Sequence, residues 1–167
     1  MLMIDPPKDI LGHPIETDFR KWMRFGQLWT SPLTENEKIY LSFINILGEV
    51  PEDADRWLIA IFDFYACGEV KKRTPAKERL LDWRVDSPVI WADFRVYVGM
   101  DLDTASLHWW EFMALFQSLP KDARIKQIMG DRAINLWKIK DAGLRAEYAE
   151  RKRAVALDVL DDNDPWD

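Results

Sequence analysis

The chain has 167 residues, 48% of them hydrophobic and 13% aromatic, and its 29 Asp+Glu against 23 Lys+Arg give a net charge of −6. This length suits one domain with a hydrophobic core, and nine tryptophans argue against intrinsic disorder. The acidic excess argues against a general nucleic-acid-binding protein, which needs basic residues to neutralise phosphates, and solubility is a sufficient explanation for it.

The single cysteine and the hydropathy pattern bear on the compartment. Cys67 is the only cysteine, so an intramolecular disulfide and a thiolate metal cluster are both excluded. No apolar run approaches the roughly 20 residues of a membrane span. Residues 1–15 contain acidic residues and prolines where a signal peptide would be basic and then apolar. We therefore expect a cytoplasmic protein in a reducing compartment, away from membranes.

The first part of the chain predicts an arm and a first helix. Residues 1–16 contain three prolines and no periodicity, which predicts an extended arm. Thr17 or Asp18 is a suitable cap for a helix that ends at Ser31-Pro32. The wide apolar stripe of that helix consists of Phe19, Trp22, Met23, Phe25 and Trp29.

Two more helices follow. Thr34 and Glu37 have the spacing of a capping box, and Gly48 is placed to end the second helix. Its predicted buried side consists of Ile39, Tyr40, Phe43, Ile44 and Leu47. Pro51 suits the first turn of a third helix, which Gly68 ends. The predicted buried side of the third helix consists of Ala54, Trp57, Leu58, Ile61, Phe62 and Tyr65.

The most apolar stretch predicts a central helix at about residues 104–118. Apolar groups lie at almost every angle of a helical turn from Leu107 onward, so this helix should be buried nearly all round. Leu119-Pro120 ends it. Asp101 and Asp103 precede it, and helix capping explains them better than a calcium site, because the glycine and distal Glu of a calcium loop are missing.

The remaining segments complete an all-α prediction. Residues 75–83 are a candidate short helix, Ser87-Pro88 starts a firmer one that Gly99 stops, and another starts after Pro120. Residues 131–140 should form an irregular turn with Ile134, Leu136 and Trp137 folded back on the core. Residues 141–157 should form a last helix, and 158–167 a disordered acidic tail. The predicted fold is a compact multi-helix single domain over 17–157 around a buried central helix.

The sequence offers little catalytic chemistry. His108 and Glu111 lie one helical turn apart, but two ligands are fewer than a zinc site needs, so a hydrogen-bonded structural histidine is the better interpretation. Cys67 is more typical of a small core residue than of a nucleophile. The nucleophile-elbow, Walker and dinucleotide spacings do not occur. We therefore predict no catalytic residues, no metal and no cofactor.

Several blocks of the sequence resemble the bacteriophage gene-product-fifteen family. The main blocks are Leu107-His-Trp-Trp-Glu-Phe, Ala114-Leu-Phe116, Leu119-Pro and Lys126-Gln-Ile-Met-Gly-Asp-Arg132. Supporting blocks are Thr17-Asp-Phe-Arg20 with Trp22 and Phe25, Phe64-Tyr-Ala-Cys-Gly68, Asp86 with Ile90, Ala92 and Phe94, Gly99-Met-Asp-Leu102, and Trp137-Lys-Ile-Lys140. The resemblance covers about residues 17–157.

The resemblance implies a function in phage tail assembly. Similar proteins are encoded between the tail tube and the tape measure protein, which implies a chaperone that binds the tape measure protein, keeps it soluble in the host cytoplasm and is absent from the mature virion. The tail tube protein and further copies of the chain are additional candidate partners. The alternatives are a structural tail or head component retained in the virion and a regulatory protein-binding module.

The first helix is the candidate partner-binding surface. Trp22, Phe25 and Trp29 add an apolar edge beside Phe19 and Met23. The basic residues Arg20, Lys21 and Arg24 flank this edge and would pair with acidic residues of an incoming helix. The competing interpretation is that all five apolar residues are buried in the domain. The same choice between core and contact surface applies to His108, Trp109 and Trp110.

Overall fold

A computed structural model of the protein describes residues 5–69 and 79–157, and the regular structure of these residues is predominantly α-helical. The helices are α1 (Phe19–Thr30), α2 (Glu35–Leu47), α3 (Ala54–Tyr65), α4 (Ser87–Asp93), α5 (Trp109–Ser118), α6 (Arg124–Arg132) and α7 (Ala142–Ala154). A π-helical turn, Phe94–Val98, continues α4, and a 3-10 helix, Leu136–Lys138, precedes α7. The predicted all-α fold class is confirmed.

The chain forms two compact units. Of the described residues, 5–69 and 104–117 form the first unit, and 79–103 and 118–157 form the second. A single domain over 17–157 stays a prediction. The predicted disordered tail at 158–167 lies outside the described residues, as do residues 75–78 of the predicted short helix. The described part of that segment, residues 79–83, is not helical.

The N-terminal segment of the first unit is a hairpin rather than a free arm. Strand β1 (Asp9–Ile10) pairs antiparallel with β2 (His13–Pro14). Leu11 and Gly12 form the two-residue turn with φ of 51° and 81°, a conformation that matches the twist of paired strands. Ile10 is buried and β1 contacts α3. The prolines concealed this strand pair, because they indicate a loop wherever they occur.

Helix α2 begins as predicted but buries a different side. The Thr34 hydroxyl accepts from the Glu37 amide, and the Glu37 carboxylate accepts from the Thr34 amide and hydroxyl, which lowers the pKa of Glu37. The inward residues are Ser42, Phe43 and Ile46. Ser42 tolerates full burial because its hydroxyl donates to the Lys38 carbonyl at 2.7 Å and accepts from Trp29 Nε1 at 3.1 Å. The prediction that Tyr40 and Ile44 face inward is therefore wrong.

Helix α5 supplies part of the first unit's core. It begins at Trp109 rather than near 104, because the backbone just before it pairs with the chain entering α1: Phe19 N donates to Leu107 O, and Trp109 N donates to Thr17 O. Trp109, Phe112 and Phe116 form the buried stripe of the helix, whereas Ala114, Gln117 and Ser118 are exposed. The helix therefore buries one face, not its whole circumference.

The second unit has its core between α4, the π-helical turn and α6. Ile90, Phe94 and Ile125 are fully buried there. Asp101 and Asp103 do not cap α5: Asp101 accepts from the Asp103 amide and from Arg95, while Asp103 accepts from Trp91 Nε1. These bonds hold the turn that follows the π-helical turn, which explains both aspartates without a bound ion.

Candidate partner-binding surfaces

Helix α1 directs its predicted contact residues mainly into the core of the first unit. Trp22 is 0% exposed and Phe25 is 4% exposed. Trp22 packs on Phe64 at 4.4 Å between ring centroids, and its Nε1 donates to Glu16 O. Trp29 is half-buried and packs on Phe62 of α3. The interpretation that Trp22 and Phe25 form an exposed apolar edge is therefore wrong, because their rings fill the space between helices.

The basic residues of α1 differ among themselves. Arg20 forms an ion pair with Asp18 at 2.9 Å, donates to Ala105 O and lies over the Phe19 ring. Lys21 pairs with Glu16 at 3.2 Å, and Arg24 is exposed. Arg20 therefore holds the start of α1 to the segment before α5. Any contact of α1 with a partner stays a prediction that would rest on Arg24, Lys21 and the accessible part of Trp29.

His108 is the N-cap of α5. Its Nδ1 accepts from the Trp110 amide at 3.0 Å, and its own amide donates to the Glu111 carboxylate at 3.1 Å. The Nε2 atom lies 2.9 Å from Pro7 O, a pure acceptor, so the proton of the neutral ring belongs on Nε2. Nδ1 and Glu111 are thus engaged in capping α5 and Nε2 in a hydrogen bond to the N-terminal segment, which agrees with the structural interpretation of this pair.

The two tryptophans after His108 cap the C-terminal end of helix α3. Trp109 Nε1 donates to Tyr65 O at 2.8 Å, and Trp110 Nε1 donates to Phe64 O at 2.9 Å. Carbonyls in the last turn of a helix lack intrahelical partners, so these indoles stabilise the end of α3. The His-Trp-Trp block and the Phe64–Gly68 block, far apart in sequence, therefore form one structural cluster. Trp109 is fully buried, whereas Trp110 is only partly buried.

Cys67 follows α3 in a left-handed conformation with φ of 56°. Its thiol is half-buried, and burial together with the nearby Glu69 carboxylate raises its pKa from 9.0 to about 11. A nucleophilic cysteine requires the opposite shift, because the thiolate is the reactive form. Cys67 is therefore an unreactive thiol at neutral pH.

The outer face of α2 is an exposed apolar surface that the periodicity did not reveal. Tyr40 and Ile44, one helical turn apart, are 56% and 36% exposed. We call these two residues the α2 face. The apolar residues of α2 span a wide arc, and the side that faces inward lies at one edge of this arc, where Ser42 is also buried. Ser42 can lie there because its hydroxyl has hydrogen-bond partners.

Trp137 in the second unit is the most exposed large apolar residue described, at 95%. The prediction that it folds back on the core is wrong. Ile134 and Leu136 are partly buried, but the indole of the next residue, Trp137, points outward from the 3-10 helix at residues 136–138. The sequence did contain a signal for this exposure, because Trp137 lies in an irregular, charged segment. A tryptophan in such a segment can be an interface contact instead of a core residue.

Metal clusters and membrane spans are both absent from the described residues. No group of three or more His, Cys, Asp or Glu side chains within 5–69 and 79–157 is arranged to hold a metal ion. Within the same ranges, no helix is long and apolar enough to cross a membrane.

Comparison with known proteins identifies a family match. A protein-family model described as Bacteriophage Gp15 protein matches residues 9–157, which is most of the chain. No curated protein and no solved structure matches the chain. The matched region begins at β1, so it includes the N-terminal hairpin.

Proposed function

Because the chain belongs to the bacteriophage Gp15 protein family, we propose that it is a tail assembly chaperone that binds the tape measure protein. In this role it keeps the long helical tape measure protein soluble in the host cytoplasm until tube subunits replace it. The chaperone is then absent from the mature virion.

The α2 face is the observation that carries this proposal. Burial of a side chain such as Tyr40 or Ile44 against a partner lowers the free energy, and an apolar pair at i and i+4 matches the stripe of an amphipathic partner helix. Two side chains make a small site, which suits reversible binding to one short stretch of the partner. Many copies along a long partner would then bind strongly together.

Co-expression with the tape measure protein of the same phage tests the proposal. We expect more soluble tape measure protein and a copurifying complex. The variant Tyr40→Ser/Ile44→Thr should lose both effects while its circular dichroism spectrum stays helical, because neither side chain is needed in the core. Val96→Thr, at another exposed apolar residue (74%), is the matched control and should behave like the unchanged protein.

Each other outcome has a definite meaning. An equally insoluble tape measure protein with no recovered complex contradicts the chaperone function. Loss of binding in Val96→Thr as well would show that the α2 face has no special role. Detection of the protein in purified particles would instead indicate a structural component retained in the virion.

A further inference from the structure

Trp137 is presented to solvent by a fixed backbone. Its amide donates to Asn135 Oδ1 at 3.1 Å, and the Lys138 and Ile139 amides donate to the carbonyls of Asn135 and Leu136. Nearby, Lys152 Nζ donates to Ile134 O at 3.0 Å, which holds this segment to α7. A large aromatic side chain on an ordered backbone loses little freedom on binding, so it is well suited to anchor an interface.

The surroundings of Trp137 are basic. Residues 134–157 contain six of the 23 Lys+Arg but three of the 29 Asp+Glu, so this segment is positive in a chain of net charge −6. Lys138 and Lys140 flank the tryptophan and are exposed. Leu144 is 44% exposed and lies in the first turn of α7, which contacts the 3-10 helix. We call Trp137, Lys138, Lys140 and Leu144 the Trp137 surface.

The first unit carries a surface of complementary chemistry. Residues 48–59, which lead into α3 and form its first turns, contain four acidic residues and one basic residue, Arg56, so this segment is negative. The exposed members of this surface are Glu49, Val50, Glu52, Asp53, Asp55 and Ile59. Val50 is 52% exposed, and Ile59, one turn beyond Asp55 on α3, is 59% exposed. We call these six residues the α3 edge. The α3 edge presents carboxylates beside aliphatic side chains, and the Trp137 surface presents ammonium groups beside an indole and a leucine. The two surfaces are therefore complementary in charge and are both partly apolar.

We propose that the Trp137 surface of one copy binds the α3 edge of a second copy, head to tail. The contact pairs Lys138 and Lys140 with carboxylates of the second copy and buries Trp137 against its aliphatic side chains. Burying this indole removes on the order of 200 Å² from water. Because the two surfaces differ, a head-to-tail dimer keeps one free surface of each kind, and the association extends to chains or closed rings.

Two variants separate the two halves of this contact. Trp137→Ser removes the anchor of the Trp137 surface and leaves the α3 edge intact. Glu49→Lys/Glu52→Lys reverses two exposed charges of the α3 edge that precede the helix, keeps the capping residue Asp53, and leaves the Trp137 surface intact. Asp122→Lys, an exposed carboxylate elsewhere, is the charge-reversal control. Circular dichroism verifies that all of them remain folded.

Sedimentation velocity over a range of protein concentrations gives the readout. For the unchanged protein, the average mass of the sedimenting particles should increase with protein concentration. Raised salt should weaken this association because the charges are exposed. Each of the two interface variants should associate about 30-fold more weakly or worse, whereas Asp122→Lys should not. Mixing the two variants should restore one tight contact, and the mixture should stop at a 1:1 dimer.

Three results would overturn the head-to-tail contact. The first is a protein that stays monomeric at every concentration. The second is undiminished association of Glu49→Lys/Glu52→Lys, because Trp137 would then contact something other than the α3 edge. The third is failure of the two variants to associate with each other, which contradicts the pairing of these surfaces. None of these measurements involves a tape measure protein, so their outcome is independent of the proposed chaperone function.

Discussion

Arg132 and Asp86 form a two-point ion pair inside the second unit. Nη1 of Arg132 lies 2.6 Å from one carboxylate oxygen of Asp86, and Nη2 lies 2.9 Å from the other. Both side chains are buried, with 7% and 3% exposure. The guanidinium also donates to Leu80 O and Val155 O, and the carboxylate accepts from the Asp82 amide. The pair therefore connects the segment before α4, the end of α6 and the end of α7.

Replacing Arg132 with methionine should destabilise the protein by about 3–5 kcal/mol, because the Asp86 carboxylate would remain buried without its counter-charge. The double variant Arg132→Met/Asp86→Leu should regain much of this loss. Urea denaturation measures both values. Arg95→Met is the control: Arg95 also pairs with a carboxylate, Asp101, but both side chains are largely exposed, at 55% and 37%, so its loss should cost under about 1 kcal/mol. Equal losses for Arg132→Met and Arg95→Met would contradict the importance of burial here.

Gly68 should be harder to replace than other glycines of the same backbone conformation. Its φ is +70°, and a Cβ there would lie 3.3 Å from Cη2 of Trp110. Gly68→Ala should therefore lower the melting temperature through both backbone strain and displacement of the Trp110 ring. Gly48→Ala isolates the first effect, because Gly48 has φ of +83° and open space where a Cβ would lie. If the two variants melt at the same temperature, the Trp110 contact contributes nothing.

Cys67 should react slowly with iodoacetamide at neutral pH. A pKa of about 11 instead of 9.0 reduces its thiolate fraction by about 100-fold, and alkylation in urea should restore the rate of an ordinary cysteine. The folded state holds this proton more tightly than the unfolded state does. The stability that this gives is present below pH 9 and is lost as the pH rises from 9 to about 11. Alkylation of the native protein as fast as in urea would contradict the burial of the thiol.

Local signals predicted helices well and predicted their orientations less well. The Thr34 capping box and the end of α2 at Gly48 depend on neighbouring residues, so the sequence alone locates them. The predicted start of the third helix at Pro51 is less accurate, because α3 begins at Ala54 after the cap Asp53. The inward face of α2 depends on Trp29, which satisfies the Ser42 hydroxyl from another helix. The exposure of Trp137 likewise depends on a 3-10 turn that periodicity does not detect.

The same limit applies to the candidate contact surface on α1: the sequence predicted the helix but not which of its side chains are exposed. The capping residue and the periodicity located α1 correctly, but neither distinguishes a tryptophan that fills the core from one that lies open to a partner. Trp22 is the first kind and Trp137 the second, with exposures of 0% and 95%. What separates them is the packing of distant segments, such as Phe64 against Trp22, and this information is absent from any single stretch of sequence.

Helix α6 takes its N-terminal cap from another helix. Ala123 precedes it and has no capping side chain, and Asp93 at the end of α4 accepts instead from the amides of Arg124, at 3.2 Å, and Ile125, at 2.8 Å. A nine-residue helix without its own cap is too short to persist alone in water. Its formation must therefore await the closure of the roughly 30-residue loop that brings Asp93 into place, so α4 and α6 should become ordered in a single cooperative step rather than one after the other.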